Sequence, residues 1–113
     1  MECIFCKIIS GELPGKFVYK DSDMVAFHDI NPKAPVHVLF LPIKHIKSLN
    51  NIEDRDRELM GNMMFKAQEL TKKLGIDNGF KIVINNGKEA GQLVFHLHLH
   101  ILGGWKKSPD WQV

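Results

Sequence analysis

Cysteine is almost missing from this chain. Cys3 and Cys6 are the two cysteines among 113 residues, too few for the disulfide framework on which small secreted domains depend. Long apolar runs are missing altogether. No stretch approaches the roughly 18 to 20 residues needed to cross a bilayer, and the N-terminus lacks the basic region, apolar core and cleavage site of a secretory leader. A cytoplasmic location, with no membrane partner, is the expectation. A dominant charge is missing too: 15 Lys+Arg against 13 Asp+Glu leave a formal +2, too weak a field to point to nucleic acid. There is no internal repeat, low-complexity tract or linker-like stretch, so one continuous domain over residues 1–113 is expected, with a core at about 3–104 and a tail at 105–113. What is present is ordinary: 44% apolar and 25% charged residues, the composition of a globular protein with a real core.

The pattern along the chain predicts short elements punctuated by Gly and Pro. Ile4, Phe5, Ile8 and Ile9 fall at helical spacing before Gly11 and Pro14, which predicts a short helix over 3–10 with Cys3 and Cys6 on one face. Residues 17–20 and 24–29 read as strands joined by the turn residues Asp21, Ser22 and Asp23, and a third strand covers 36–41. Between them, Asn31 to Pro35 contains two prolines and reads as a connection. The long helix is expected over about 52–74, because Ile52, Leu59, Met60, Met63, Ala67, Leu70 and Leu74 recur at intervals of three, four or seven. Asn50 or Asn51 would cap it, Glu53, Asp54 and Asp56 suit its first turn, Lys72 and Lys73 its last, and Gly75 its end. Strands over 80–85 and about 93–102 complete an α+β domain, an antiparallel sheet with the helix on one side. Trp105 and Trp111 in the tail are costly to leave bare in water and suit a dimer contact.

His96-Leu97-His98-Leu99-His100-Ile101-Leu102 is the most informative segment. Side chains alternate across a strand, so the three histidines project one way while Leu97, Leu99 and Ile101 take the other. An amphipathic strand explains the alternation but not the choice of histidine three times over. One zinc ion meets a distance problem: imidazoles two apart stand about 6.7 Å from each other along a strand and the outer pair about 13 Å, whereas zinc sits about 2 Å from each nitrogen. Neutral imidazole is a nucleophile and its protonated form a donor and acid, so a row of them suits chemistry at a phosphate.

These residues resemble the His-φ-His-φ-His-φ-φ signature, with φ an apolar residue, of the histidine triad (HIT) nucleotide-binding proteins. Phe27-His28-Asp29-Ile30, Asn31-Pro-x-Ala-Pro-x-His37, Pro42-x-Lys-His45, Val83-x-Asn85 and Gly91-Gln92 also resemble the Hint branch of that family, in the same order. The resemblance implies a HIT-like fold of about five antiparallel strands with one long and one short helix. It implies that His98 attacks the α-phosphorus of a nucleotide to form a transient nucleotidyl-histidine, which water then cleaves. His100 and His37 would contact and support the phosphate, and His96 opens the triad. Ile4, Phe5, Ile8, Phe27 and Ile30 match positions enclosing the purine, with His28 beside them. Asp29 matches the carboxylate that accepts the ribose hydroxyls; Asn85, Gly91 and Gln92 would add donors at the phosphate. The implied activity is that of a purine nucleoside phosphoramidase, releasing AMP or GMP from an amine, in a homodimer and with no Mg²⁺. The chain also lacks a Gly-x₄-Gly-Lys-Ser/Thr loop and an obvious carboxylate cluster for magnesium. One position departs: eukaryotic Hint relatives place a serine after Gly-Gln to help the amine leave, and here it is Leu93, which has no proton to donate.

For the cysteines, redox, metal and idle-thiol readings stand open. A thioredoxin-like arrangement needs a strand leading into the motif, and two residues precede Cys3. Zinc needs two more ligands, and His45 and His96 are available; some HIT relatives use such a Cys, Cys, His, His set. Catalysis itself would need no cofactor. Two further functions stay in play, a nucleotide-binding scaffold without turnover and a metal-dependent enzyme using His-x-His ligands.

Overall fold

The computed structural model describes residues 3–111. Its first hairpin is made by Asp21, whose Oδ1 accepts the N–H groups of Asp23 (2.7 Å) and Met24 (2.8 Å) while Oδ2 accepts the Tyr19 hydroxyl (2.5 Å). That Asx turn joins β1 (Phe17–Lys20) to β2 (Met24–His28). With β3 (Val36–Pro42), β4 (Phe80–Val83) and β5 (Leu99–Gly103) they form one antiparallel sheet in the order β1-β2-β3-β5-β4. The last strand therefore lies inside the sheet, between β3 and β4. The α+β class, five antiparallel strands and two helices are as the sequence predicts.

The helices are α1 (Ile4–Ser10) and α2 (Arg57–Lys73); α2 covers one face of the sheet, as expected of the long helix, and α1 covers the other. The reason lies in β2 and β3, which are apolar at nearly every position, so both of their faces need cover. Met24, Ala26, Val38, Phe40, Leu99 and Ile101 pack with Met63, Ala67 and Leu70 of α2. Val25, Phe27, Leu39 and Leu41 pack on the other face with Phe5 of α1. Among the described residues no helix is long and apolar enough to cross a membrane.

Three boundaries differ from the sequence reading by more than one residue. The long helix starts at Arg57, not 52, because Ile52 and Glu53 are extended. Asn50 and Asn51 lie in a short 3₁₀ turn, and the chain re-enters helix through a capping box in which Glu53 and Asp56 accept each other's backbone N–H. β4 stops at Val83. β5 begins only at Leu99: β3 runs on to Pro42, but the Leu97 N–H turns away from it to the carbonyl of Ile46 (2.6 Å). Residues 93–98 are thus irregular. At the far end of β5 a Cβ on Gly103 would come within 2.9 Å of Ile76 and 3.0 Å of the Gly79 carbonyl, so this close approach requires glycine.

Candidate functional site

On the α1 face the sheet opens into a cleft of about 1330 Å³. One end is apolar, lined by Ile4, Phe5 and Ile8 from α1 and Phe27 from β2. The other end is polar, lined by Asp29, His37, Asn85, His98 and His100. An apolar slot opening onto a few converging polar groups is the common design of a small-molecule site.

Backbone hydrogen bonds dictate the proton on each imidazole at the polar end. A carbonyl can only accept, so the 2.7 Å contact between His98 Nδ1 and the His96 carbonyl places the proton on Nδ1 and leaves Nε2 with its lone pair. His37 Nδ1 accepts the Lys33 N–H at 3.0 Å, so its Nε2 carries the proton, 2.9 Å from His100 Nδ1. His100 Nδ1 is then the acceptor and its Nε2 carries the proton; the Asn85 Nδ2 lies 3.5 Å from that nitrogen, so the two are neighbouring donors and not partners of each other. Asp29 turns one oxygen to the Asn31 N–H (2.8 Å) and the other to His37 Nε2 (3.4 Å). The His37 Nε2 proton thus faces two acceptors, His100 Nδ1 and the Asp29 carboxylate, beside an imidazole with a free basic nitrogen.

Burial keeps these rings neutral. It pushes His100 down to about 4, helped by the neighbouring His98 and His37. It also lowers His98 and His37, with Asp29 pulling both part of the way back. Neutral imidazole is the form a nucleophile needs.

Cys3, Cys6, His45 and His96 converge at the edge of this region, their ligand atoms all within 4.8 Å of one another. Cys3 is the N-cap of α1 and its sulfur accepts the Cys6 N–H (3.3 Å). The distances are 3.5 Å for Cys3 Sγ to His96 Nδ1, 3.6 Å for Cys6 Sγ to His96 Nδ1, 3.4 Å for Cys6 Sγ to His45 Nδ1 and 3.2 Å between the two Nδ1 atoms. A tetrahedral ion with ligands at about 2.3 Å (sulfur) and 2.05 Å (nitrogen) would give edges of about 3.5 Å and 3.3 Å, so the set fits zinc. His96 Nε2 donates to the Pro42 carbonyl (2.7 Å), which turns the Nδ1 lone pair to the cluster, as a metal-binding histidine requires. Burial, with Cys3 beside it, raises the Cys6 thiol to about 11; a cation would reverse that preference.

Of the residues singled out from sequence, Ile4, Phe5, Ile8, Phe27, His28, Asp29, Ile30, His37, Asn85, Gly91, Leu93, His98 and His100 all line the cleft. Ile30 and Leu93 stand at its mouth, 92% and 90% exposed. Besides Cys3, Cys6 and His45 of the cluster, two lie elsewhere. His96 is fully buried with one ring nitrogen on Pro42 and the other in the Cys/His cluster. Gln92 is buried under the cleft wall, accepting the Gly87 N–H and donating to the Lys47 and Val94 carbonyls, so it holds a loop. Lys16, Lys33 and Trp111 also line the cleft, and sequence reasoning did not place them there. Trp111 packs edge-on to Trp105 with Lys81 over its ring. The one signal was that a tail tryptophan needs cover; which cover is decided by the fold.

Known proteins share this architecture. The HIT domain model matches residues 10–107. Protein HitA of Neisseria gonorrhoeae is 50% identical over 101 residues, 89% of this chain and 94% of that one. Among solved structures, a HIT family hydrolase from Legionella pneumophila superposes with a TM-score of 0.91 at 41% identity, over 96% of this chain and 98% of that chain. A histidine triad protein from Clostridium difficile superposes with a TM-score of 0.91 at 43% identity, over 99% and 97% of the two chains. With its histidine segment inside a matching fold and a matching sequence, the chain belongs to the HIT family.

Proposed function

We propose that the protein hydrolyses purine nucleoside 5′-phosphoramidates through a nucleotidyl-histidine intermediate on His98. The observation that carries this reading is the His98 ring itself, whose Nδ1 proton is committed to the His96 carbonyl and whose other nitrogen is basic in a cleft. Ile4, Phe5, Ile8, Phe27 and Ile30 enclose the purine, with His28 at the same end, and Asp29 accepts the ribose hydroxyls. His98 Nε2 attacks the α-phosphorus, a P–N bond forms to the ring, and the P–N bond to the leaving amine breaks. His100 and the Asn85 amide donate to the phosphoryl oxygens, with His37 behind His100 and backbone N–H groups near Gly91 adding to them; Gln92 keeps that loop in place. Leu93 has no proton to give, so the departing amine takes one from water or a neighbouring imidazole. Water then attacks phosphorus, the ring–phosphorus bond breaks and the nucleoside monophosphate leaves. No Mg²⁺ is needed because imidazole and amide donors meet the charge.

Zinc would be held by Cys3, Cys6, His45 and His96, where it supplies structural cross-linking and no chemistry at phosphorus. This division assigns His96 to the support of the triad. A reducing cytoplasm suits free thiols used in this way. The reading includes a homodimer, supported by β4 as a sheet edge and by exposed Met64 and Phe65 on α2. Nothing in the cleft calls for nucleic acid or a membrane.

The test is steady-state hydrolysis of an AMP–amine conjugate with no divalent cation added, on wild type and His98→Asn. Turnover that disappears in the variant is expected. AMP binding without turnover in wild type would make the cleft a scaffold site. Turnover that appears only with added divalent metal would favour His-x-His metal chemistry.

A further inference from the structure

We infer that the Cys3, Cys6, His45, His96 cluster, once it holds zinc, is a clasp for the nucleotide cleft, so that zinc and nucleotide strengthen each other's binding. The inference rests on the proposed reading in taking an adenine nucleotide as the ligand, and adds what governs its affinity. Three observations lead to it.

The first is what the sheet fails to do. Ladder pairing of β5 with β3 runs from Leu99 with Phe40 to Gly103 with Val36. His96, Leu97 and His98 lie outside it. The bonds given to that stretch are the Leu97 N–H to Ile46, the His96 ring to Pro42 and the cluster contacts of His96. His98 in turn is oriented by the carbonyl of His96, a cluster residue.

The second is the shortness of α1. Seven residues form a helix that is not stable alone in water, so its position depends on what fastens it. Cys3 and Cys6 tie it to His96 and His45, residues 93 and 39 positions away in sequence.

The third is what α1 carries. Phe5 sits between the two cysteines and packs at a right angle against His98, ring centroids 4.9 Å apart, and against Phe27 at 5.7 Å. Ile4 and Ile8 of the same helix line the apolar end of the cleft. Closing the cluster therefore orders the purine slot and the His98 ring together. A nucleotide filling that slot orders the same segments, and the ordering cost met by one ligand is spared the other. By linkage, the two affinities must change by one common factor, for which about 5- to 150-fold is typical.

The experiment uses the full chain, zinc and AMP. Zinc affinity is measured by competition with a chromogenic chelator, without AMP and at saturating AMP; AMP affinity is measured by calorimetry on zinc-loaded and zinc-stripped protein. Both ratios should be about fivefold or more, and equal. Amide exchange should show α1 and residues 96–98 losing protection on stripping while β2 and β3 keep theirs. Phe5→Ala retains all four ligands, so it should bind one zinc per chain yet bring the AMP effect on zinc affinity close to onefold; this arm stands even if stripped protein unfolds. AMP bound equally by both forms, unchanged exchange in α1, or failure to bind stoichiometric zinc would overturn the clasp and leave the nucleotide reading intact. No AMP binding in either form would overturn the nucleotide reading, and the clasp with it.

Discussion

At the scale of single residues, the site works by spending backbone hydrogen bonds on ring nitrogens. His98, His37 and His96 each have one nitrogen tied to a backbone group, which fixes the role of the other. Residue type and spacing made the three histidines legible, whereas Asp29 and Asn85 were singled out by the family resemblance. Alternation alone puts His96 and His98 on one face; the resemblance gave them different tasks, and their hydrogen bonds differ accordingly. Leu93 is the position where leaving-group chemistry should be adjustable. Leu93→Ser, restoring a hydroxyl at the cleft, should raise turnover of alkylamine and lysine-type phosphoramidates relative to conjugates with better leaving groups, by roughly 10- to 100-fold. Unchanged ratios across an amine panel would remove this position from the mechanism. The pH dependence of stability follows from His100. Its folded-state pKa, about 4, lies below the unfolded value of about 6.5, so the unfolded chain binds the proton first on acidification. The stability this neutral ring contributes is whole above about pH 6.5 and declines as pH falls toward 4. In urea midpoints measured across that range, His100→Asn should show a shallower acid decline than wild type.

At the scale of elements, apolar pattern, residue type and turn residues identified each strand and helix, whereas their boundaries were set by local hydrogen bonds and by contacts remote in sequence. The long helix loses its first expected turn because Glu53 and Asp56 form a capping box, a local competitor that apolar spacing does not report. The last strand shortens because Leu97 pairs with Ile46, a residue the pattern could not bring to it. The long helix covers one face of the sheet as expected, and the short one covers the other because β2 and β3 lack a polar face. Within α2 the buried stripe is as predicted, and Leu70, 2% exposed, is a test of it. Leu70→Ala should cost about 2–5 kcal/mol in denaturant unfolding. Gly103→Ala should cost about 1–3 kcal/mol through overpacking against Ile76 and Gly79, although alanine is otherwise the better strand residue. A neutral result would mean that the 76–79 turn yields.

At the scale of the whole molecule, the sheet leaves β4 at an edge, and α2 exposes Met64 and Phe65, 54% and 64%. An open edge with exposed large apolar groups is a hazard unless it is covered, and a second copy of the chain covers it in the proposed dimer. Sedimentation should find a dimer for wild type and a shift toward monomer for Phe65→Asp with secondary structure retained. A wild-type monomer at micromolar concentration would contradict the dimer. Strand order, with β5 inserted between β3 and β4, and the return of Trp111 to the cleft were beyond single-sequence reasoning. Both depend on which distant segments meet, and local pattern carries no term for that.

The account turns on a covalent bond between the His98 ring and phosphorus. Rapid acid-free quenching during turnover of an AMP–amine conjugate, followed by intact-mass measurement and peptide mapping, reads that bond directly. The prediction is one nucleotidyl adduct per chain during the steady state, carried on His98 and absent from His98→Asn. Turnover proceeding with no adduct on that ring, or with the adduct on another histidine, would contradict it.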